Sequence, residues 1–318
     1  MLRARLSRML CAIPQRGAGA MAAWGWMMGL AVLLGVGPGA AGAMTLHQQE
    51  IAAWRASRVE RLTAPEGWLS LVGLHWVETG KTTTLGNGDG VDVDLGRGPV
   101  HLGELEWQDD KVYFVAAPKS GAMVGEAVVE RVELLPADAR EPVRVHFGDT
   151  ASLELIERGG RHALRVRDSA APARAGFSGI SYFDIDPTWR IEARFERYPE
   201  PRTIEVATVV GTLEAYPNPG RIVFERDGKA HSIEALVEEG SEAYFLIIAD
   251  RSSGKETYGM ARYLYAGPEQ GDRIVIDFNR AYNPPCVFTD YATCPMPPEG
   301  NRLDLYVAAG EKIYRGKH

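Results

Sequence analysis

From Val91 to Phe278 most patterned stretches of the chain alternate apolar and polar residues with a period of two, and the breaks between them are turn dipeptides. A residue-by-residue alternation of this kind suits a pleated strand with one buried face, and no helix presents it. Candidate strands are Val91–Leu95, Val112–Val115, Val143–Phe147, Leu164–Arg167, Arg190–Glu196, Tyr244–Ile248, Thr257–Tyr265, Arg273–Phe278 and Leu303–Ala308. Asn87-Gly88, Asp89-Gly90 and Gly159-Gly160 are turns, and Asp227-Gly228 joins Arg221–Phe224 to His231–Leu236 as a hairpin. The connections are too short for the crossover helices that parallel strands need. The expected fold is therefore mainly β, with antiparallel sandwich or barrel-like sheets.

One helix precedes them. Thr45 and Gln48 form a T-x-x-Q capping box, after which Ile51, Trp54, Val59 and Leu62 recur at helical spacing until Pro65 and Gly67. Ahead of it, residues 1–43 carry Arg3, Arg5, Arg8 and Arg16 and no acidic residue, then a charge-free stretch ending in Ala41-Gly42-Ala43. A basic start, a short apolar run and a small-x-small end predict a signal peptide cut after Ala43. The apolar segment Met21–Val36 is shorter than the roughly 20 residues of a spanning helix, and an uncleaved membrane anchor is the second reading. Cleavage would take the net charge from −7 to −11 and yield a periplasmic or secreted protein with no membrane attachment. A body so acidic, without a Lys/Arg block, argues against a nucleic-acid partner. The composition divides the remainder into a lead-in (44–79), a small β lobe (80–150) and a C-terminal β lobe (151–318).

The most unusual text runs from Asn279 to Pro298, with five prolines among amides, phenols and thiols. Rigid loops of this kind make binding edges. Asp277 and Asn279 share one face at the end of the preceding strand. If Thr257–Tyr265 is a strand, Glu256, Tyr258, Met260 and Arg262 share one face, and Glu256 and Arg262 flank a pocket. Arg190 and Arg262 would supply charge, Tyr258 and Tyr282 walls, and Asn279 and Asn283 orienting hydrogen bonds. The bland alternative is a structural Arg–Glu pair and a loop tied down by Asp277 and Asn279.

Cys286 and Cys294 are the two cysteines left after cleavage, and in an oxidising compartment a close, even pair predicts a disulfide. Closing that loop of about nine residues would stabilise the fold by about 2.5 kcal/mol.

The run N-x-A-Y-N-P-P-C-x-F-T-x-Y-A-T-C-P beginning at Asn279, with Glu256-Thr257-Tyr258-Gly259, Arg262 and Arg190 upstream, resembles the bacterial and archaeal domain-of-unknown-function family sixteen eighty-four. The resemblance extends over most of residues 46–318. It implies relatedness and supplies no activity, because the family has none established.

Three functions stay open. The first is binding of a small polar or anionic ligand in the cell envelope; the second is a hydrolase with Glu256 or Asp277 as base; the third is a thiol redox protein built on Cys286 and Cys294. The seven histidines show no metal-ligand spacing, and no P-loop or dinucleotide fingerprint occurs, so neither a metal nor a cofactor is expected.

Overall fold

In chain order the strands are β1 (Leu71–Val77), β2 (Thr83–Gly86), β3 (Val93–Asp94), β4 (Gly103–Gln108), β5 (Lys111–Ala116), β6 (Met123–Val124), β7 (Ala127–Val128), β8 (Arg131–Glu133) and β9 (Arg144–Phe147). They continue as β10 (Ala151–Arg158), β11 (Arg161–Asp168), β12 (Arg190–Ala207), β13 (Leu213–Arg226), β14 (Lys229–Val237), β15 (Tyr244–Ile248), β16 (Arg262–Ala266) and β17 (Arg273–Asp277). The computed structural model describes residues 44–136 and 142–316, and the expected signal peptide lies outside them. The protein is mainly β, its sheets antiparallel apart from the short β2–β3 pairing, with one N-terminal helix of length.

Three sheets build it. β1-β11-β10-β9-β6-β7 and β3-β2-β4-β5-β8 enclose a core that includes Leu85, Leu105, Phe114, Val145, Phe147, Leu155 and Leu164. The third sheet, β16-β15-β14-β13-β12-β17, curls into a half-barrel. The hairpin β10–β11, which the composition places with the C-terminal lobe, instead hydrogen-bonds to β1 and β9. The described residues from Met44 onward form one compact unit.

The alternation in Arg190–Glu196 does what its period dictates. Ala193 and Phe195 are buried, and Ala193 and Ile191 stand opposite Ile274 and Ile276 of β17. β15 reads Tyr-Phe-Leu-Ile-Ile without alternation because both of its faces are covered. Tyr244, Leu246 and Ile248 enter the core inside the half-barrel with Ile222, Phe224 and Phe278, while Phe245 and Ile247 pack on the other face with Tyr263, Ala292 and Cys294. That other face is where the cavity lies.

Helix α1 spans Leu46–Thr63. Its capping box is formed: the Gln48 backbone N–H donates to Thr45 Oγ1 (3.2 Å) and the Thr45 N–H donates to Gln48 Oε1 (2.9 Å). Such a cap contributes about 1 kcal/mol. Ile51, Arg58 and Leu62 form its buried stripe.

Two expected strands are corrected. β16 begins at Arg262, because residues 250–259 form a turn-rich loop closed by the Ser252 N–H donating to Asp250 Oδ1 (2.8 Å) and by Ser252 Oγ meeting Thr257 Oγ1 (2.8 Å). Gly254 takes φ +78° there, a conformation that ends any extended run. Leu303–Ala308 is not a strand; Leu303, Leu305 and Val307 still alternate inward to line the half-barrel core.

Candidate functional site

A cavity of about 1180 Å³ lies on the face of the half-barrel away from its core, walled by α1, the β10–β11 hairpin and the loop after β17. Its floor is aromatic. Phe245 stacks on Tyr265 (centroids 5.2 Å apart), Tyr265 stands 6.4 Å from Tyr282, and Trp54 and Tyr216 extend the row at either end. Tyr263 meets Phe245 and Tyr282 edge to face, as ring quadrupoles prefer.

One wall is basic. In β11 the alternation that sends Leu164 and Val166 into the core sends Arg165 and Arg167 to the opposite face. Glu154, 2% exposed on the paired strand β10, accepts from Arg165 Nη1 (3.3 Å), Arg167 Nη2 (3.2 Å) and Arg144 Nε (2.9 Å). Burial opposes the Glu154 charge, but Arg167, Arg165 and Arg144 outweigh it and hold the carboxyl below its usual range. Burial pulls Arg165 down to about 10, which leaves it charged at neutral pH. Arg144 also pairs with Glu66, and Arg167 Nη1 donates to the Glu66 (2.8 Å) and Gly67 (3.0 Å) carbonyls, but the Nε–H groups of Arg165 and Arg167 are buried with no hydrogen-bond partner among the described residues. Both guanidiniums lie over the Trp68 ring, at 5.2 and 5.8 Å. Arg158 ends β10 with its Nε donating to Thr293 Oγ1 (3.2 Å).

The facing wall is acidic. Glu214 belongs to β13, and Glu238 and Glu239 follow β14. Tyr265 donates to Glu238 Oε2 (2.5 Å), and Glu214 Oε1 is buried without a partner. Burial raises the phenols of Tyr216 and Tyr282 to about 12 and those of Tyr263 and Tyr265 further, so all four remain hydrogen-bond donors at neutral pH.

Of the ligand-binding residues expected from the sequence, Tyr282 lines this cavity and the others do not. Arg262, 1% exposed, donates to Asp250 Oδ2 (2.6 Å) and to the Val307 (3.1 Å) and Ala309 carbonyls, on the core side of β16. Glu256 is exposed and bonds Tyr306, with Lys312 at 3.7 Å. The turn between them therefore separates Glu256 from Arg262. Arg190 is exposed at the start of β12, opposite Asp277 in the ladder.

Asp277 accepts from the Asn279 backbone N–H (3.1 Å) and amide (2.9 Å) and meets His47 Nε2 at 2.7 Å; Asn279, wholly buried, also binds both backbone groups of Asp186. Asn283 donates its N–H to Glu311 Oε2 (2.8 Å) and its amide to the Lys312 carbonyl (2.8 Å), and Arg58 donates to the Asn283 carbonyl (2.9 Å). These groups tie down loops. Glu311 also accepts from Arg58 Nε (3.1 Å), and burial pushes its carboxyl up. Tyr258 packs beside Phe288 and Tyr314.

The expected disulfide is absent: Cys286 and Cys294 are free, and the Cys286 N–H donates to Cys294 Sγ (3.1 Å). Hydrogen bonds from the Cys294 thiol and the Tyr258 hydroxyl bring Cys286 down, whereas burial pushes Cys294 up. Only Cys294 of the pair lines the cavity. Among the described residues no cluster of three His, Cys, Asp or Glu side chains could hold a metal.

Residues 175–312 match the family described as Protein of unknown function (DUF1684). The chain belongs to this family. The match covers the half-barrel and the proline-rich loop, a shorter span than the motif resemblance suggested. The chain is also similar, at 34% identity over 44% of its length and 78% of the other's, to an uncharacterised protein of Haloarcula marismortui solved by solution NMR, with a TM-score of 0.38. No curated protein matches it. Tyr216, Tyr263, Tyr265, Tyr282 and the acidic wall fall within the span matched by the DUF1684 family; Trp54, Trp68 and the arginines precede it.

Proposed function

We propose that this member of the DUF1684 family is exported, cut after Ala43, and binds a small ligand with an anionic group in the cell envelope. The observation that supports the binding reading is a ring-floored cavity with Arg158, Arg165 and Arg167 along one wall, the last two held by the buried Glu154. A carboxylate or phosphate entering there would meet guanidiniums in excess of the carboxylate that holds them and accept charge-assisted hydrogen bonds from them. The hydrolase reading draws less support, since Glu256 and Asp277 lie outside the cavity and its phenols stay protonated.

Isothermal titration calorimetry of residues 44–318 with a panel of aromatic carboxylates and phosphate esters tests the proposal. Binding should weaken at least tenfold in Arg158→Gln and Arg165→Gln. Failure of every member of the panel, and of every zwitterion tested below, to bind would refute it. Intact-mass analysis of protein from the native envelope should find Met44 at the amino terminus; a chain retaining residues 1–43 in the membrane fraction would refute cleavage.

A further inference from the structure

The two walls of the cavity carry opposite charge and do not neutralise each other. Among the described residues no ion pair joins Arg158, Arg165 or Arg167 to Glu214, Glu238 or Glu239. Yet the turns that carry them touch. Gly159, at φ +54°, lies so close to the β12–β13 turn that an added Cβ would sit 2.9 Å from the Leu213 carbonyl oxygen and 3.0 Å from Thr212 Cβ. Arg158 and Glu214 each adjoin a residue of that contact. Tyr216 lies within the electrostatic reach of Glu238, Glu214 and Arg158 together, which places both signs around one phenol.

Taking the binding reading as its premise, we infer that the ligand is a zwitterion on an apolar body. Its anionic group sits on Arg158, Arg165 and Arg167, and its cationic nitrogen sits between Glu214, Glu238 and the rings of Tyr216 and Tyr265. A purely anionic ligand meets repulsion from the three carboxylates of the facing wall, whereas a cation against carboxylates and ring faces gains both Coulomb and cation–π attraction. The cavity exceeds the roughly 300–1,000 Å³ of ordinary ligand pockets, which leaves room for a bulky apolar body over the Trp54 to Tyr216 row.

The test uses L-phenylalanyl-L-phenylalanine, its N-acetyl form without the cation, its C-terminal amide without the anion, and glycerophosphocholine as the other common arrangement of the same two charges. Calorimetry should show at least one of the two zwitterions binding. If the dipeptide binds, each blocked form should bind at least tenfold more weakly. Glu214→Gln and Glu238→Gln should weaken that zwitterion at least fivefold while leaving the affinity for the N-acetyl form within twofold, and the thermal melts of both variants should stay at wild-type values. If the N-acetyl dipeptide binds as tightly as its parent, the zwitterion inference falls and anion binding stands. If neither zwitterion binds while an aromatic carboxylate does, the inference likewise falls alone. If nothing binds, both fall.

Discussion

Replacing Arg262 with alanine should unfold this protein more readily without touching the cavity. The guanidinium, 1% exposed, fills three acceptors: Asp250 Oδ2 at 2.6 Å, the Val307 carbonyl at 3.1 Å and the Ala309 carbonyl. Asp250 keeps the backbone donors of Ser252 (2.8 Å) and Val307 (3.2 Å) on its other oxygen, but its charge loses the one cation that meets it among the described residues and stays buried. Breaking one partner of such a pair costs about 3–5 kcal/mol. At about 2–4 °C per kcal/mol for a chain of this size, the melting temperature should fall by roughly 6–20 °C. Asp250→Asn in the Arg262→Ala background removes the stranded charge and should recover part of the loss. Thermal denaturation followed by circular dichroism reads wild type and both variants, and calorimetry reads ligand affinity on the folded variants. Because Arg262 points into the half-barrel core while Tyr263 and Tyr265 point into the cavity, affinity should remain within twofold of wild type. A variant that melts like the wild type, or one that loses ligand without losing stability, would refute the reasoning.

Two further outcomes follow from groups held away from their ordinary titration. Glu154 is depressed in the folded state, so its contribution is complete above the unfolded value of about 4.3 and disappears as pH falls through the lower folded value; urea denaturation should show Glu154→Gln less stable at pH 7, with the gap to wild type closing below about pH 4. Cys286 is partly exposed and lowered, Cys294 buried and raised, so an alkylating reagent followed by mass spectrometry should label Cys286 first and Cys294 only on unfolding. A folded, unreduced protein with no titratable thiol would contradict the unbridged pair.

Much of the architecture was readable as period. The strands of residues 190–277, the Asp227-Gly228 hairpin and the capped helix all follow from local spacing and turn chemistry, which depend on neighbours in sequence. The site was less readable because a cavity between sheets depends on which face of each strand meets which partner. In the stretch ending at Tyr265 the alternation was real from Arg262 onward, and the arginine-bearing face drew attention for its charge. The fold buries that face and turns Tyr263 and Tyr265 toward the cavity. Leu164-Arg165-Val166-Arg167 carried the missing signal: two arginines on one side of a strand whose other side is core, paired with a hairpin partner that offers one glutamate, Glu154, on that side. That excess of cations over acids was visible before any coordinates. Asp277, Asn279 and Asn283 drew attention by their residue types, and the structure uses those types to satisfy loop backbone.

The Gly159 contact with Leu213 joins two stretches of sequence that serve different ends. The curled sheet with its tyrosines and glutamates lies within residues 175–312, and the arginines come from a separate hairpin that is folded into another sheet and merely leans against it. The scaffold and the charge of one cavity wall are thus encoded apart, and substitutions in residues 144–168 should redraw that charge without disturbing the ladder of the half-barrel.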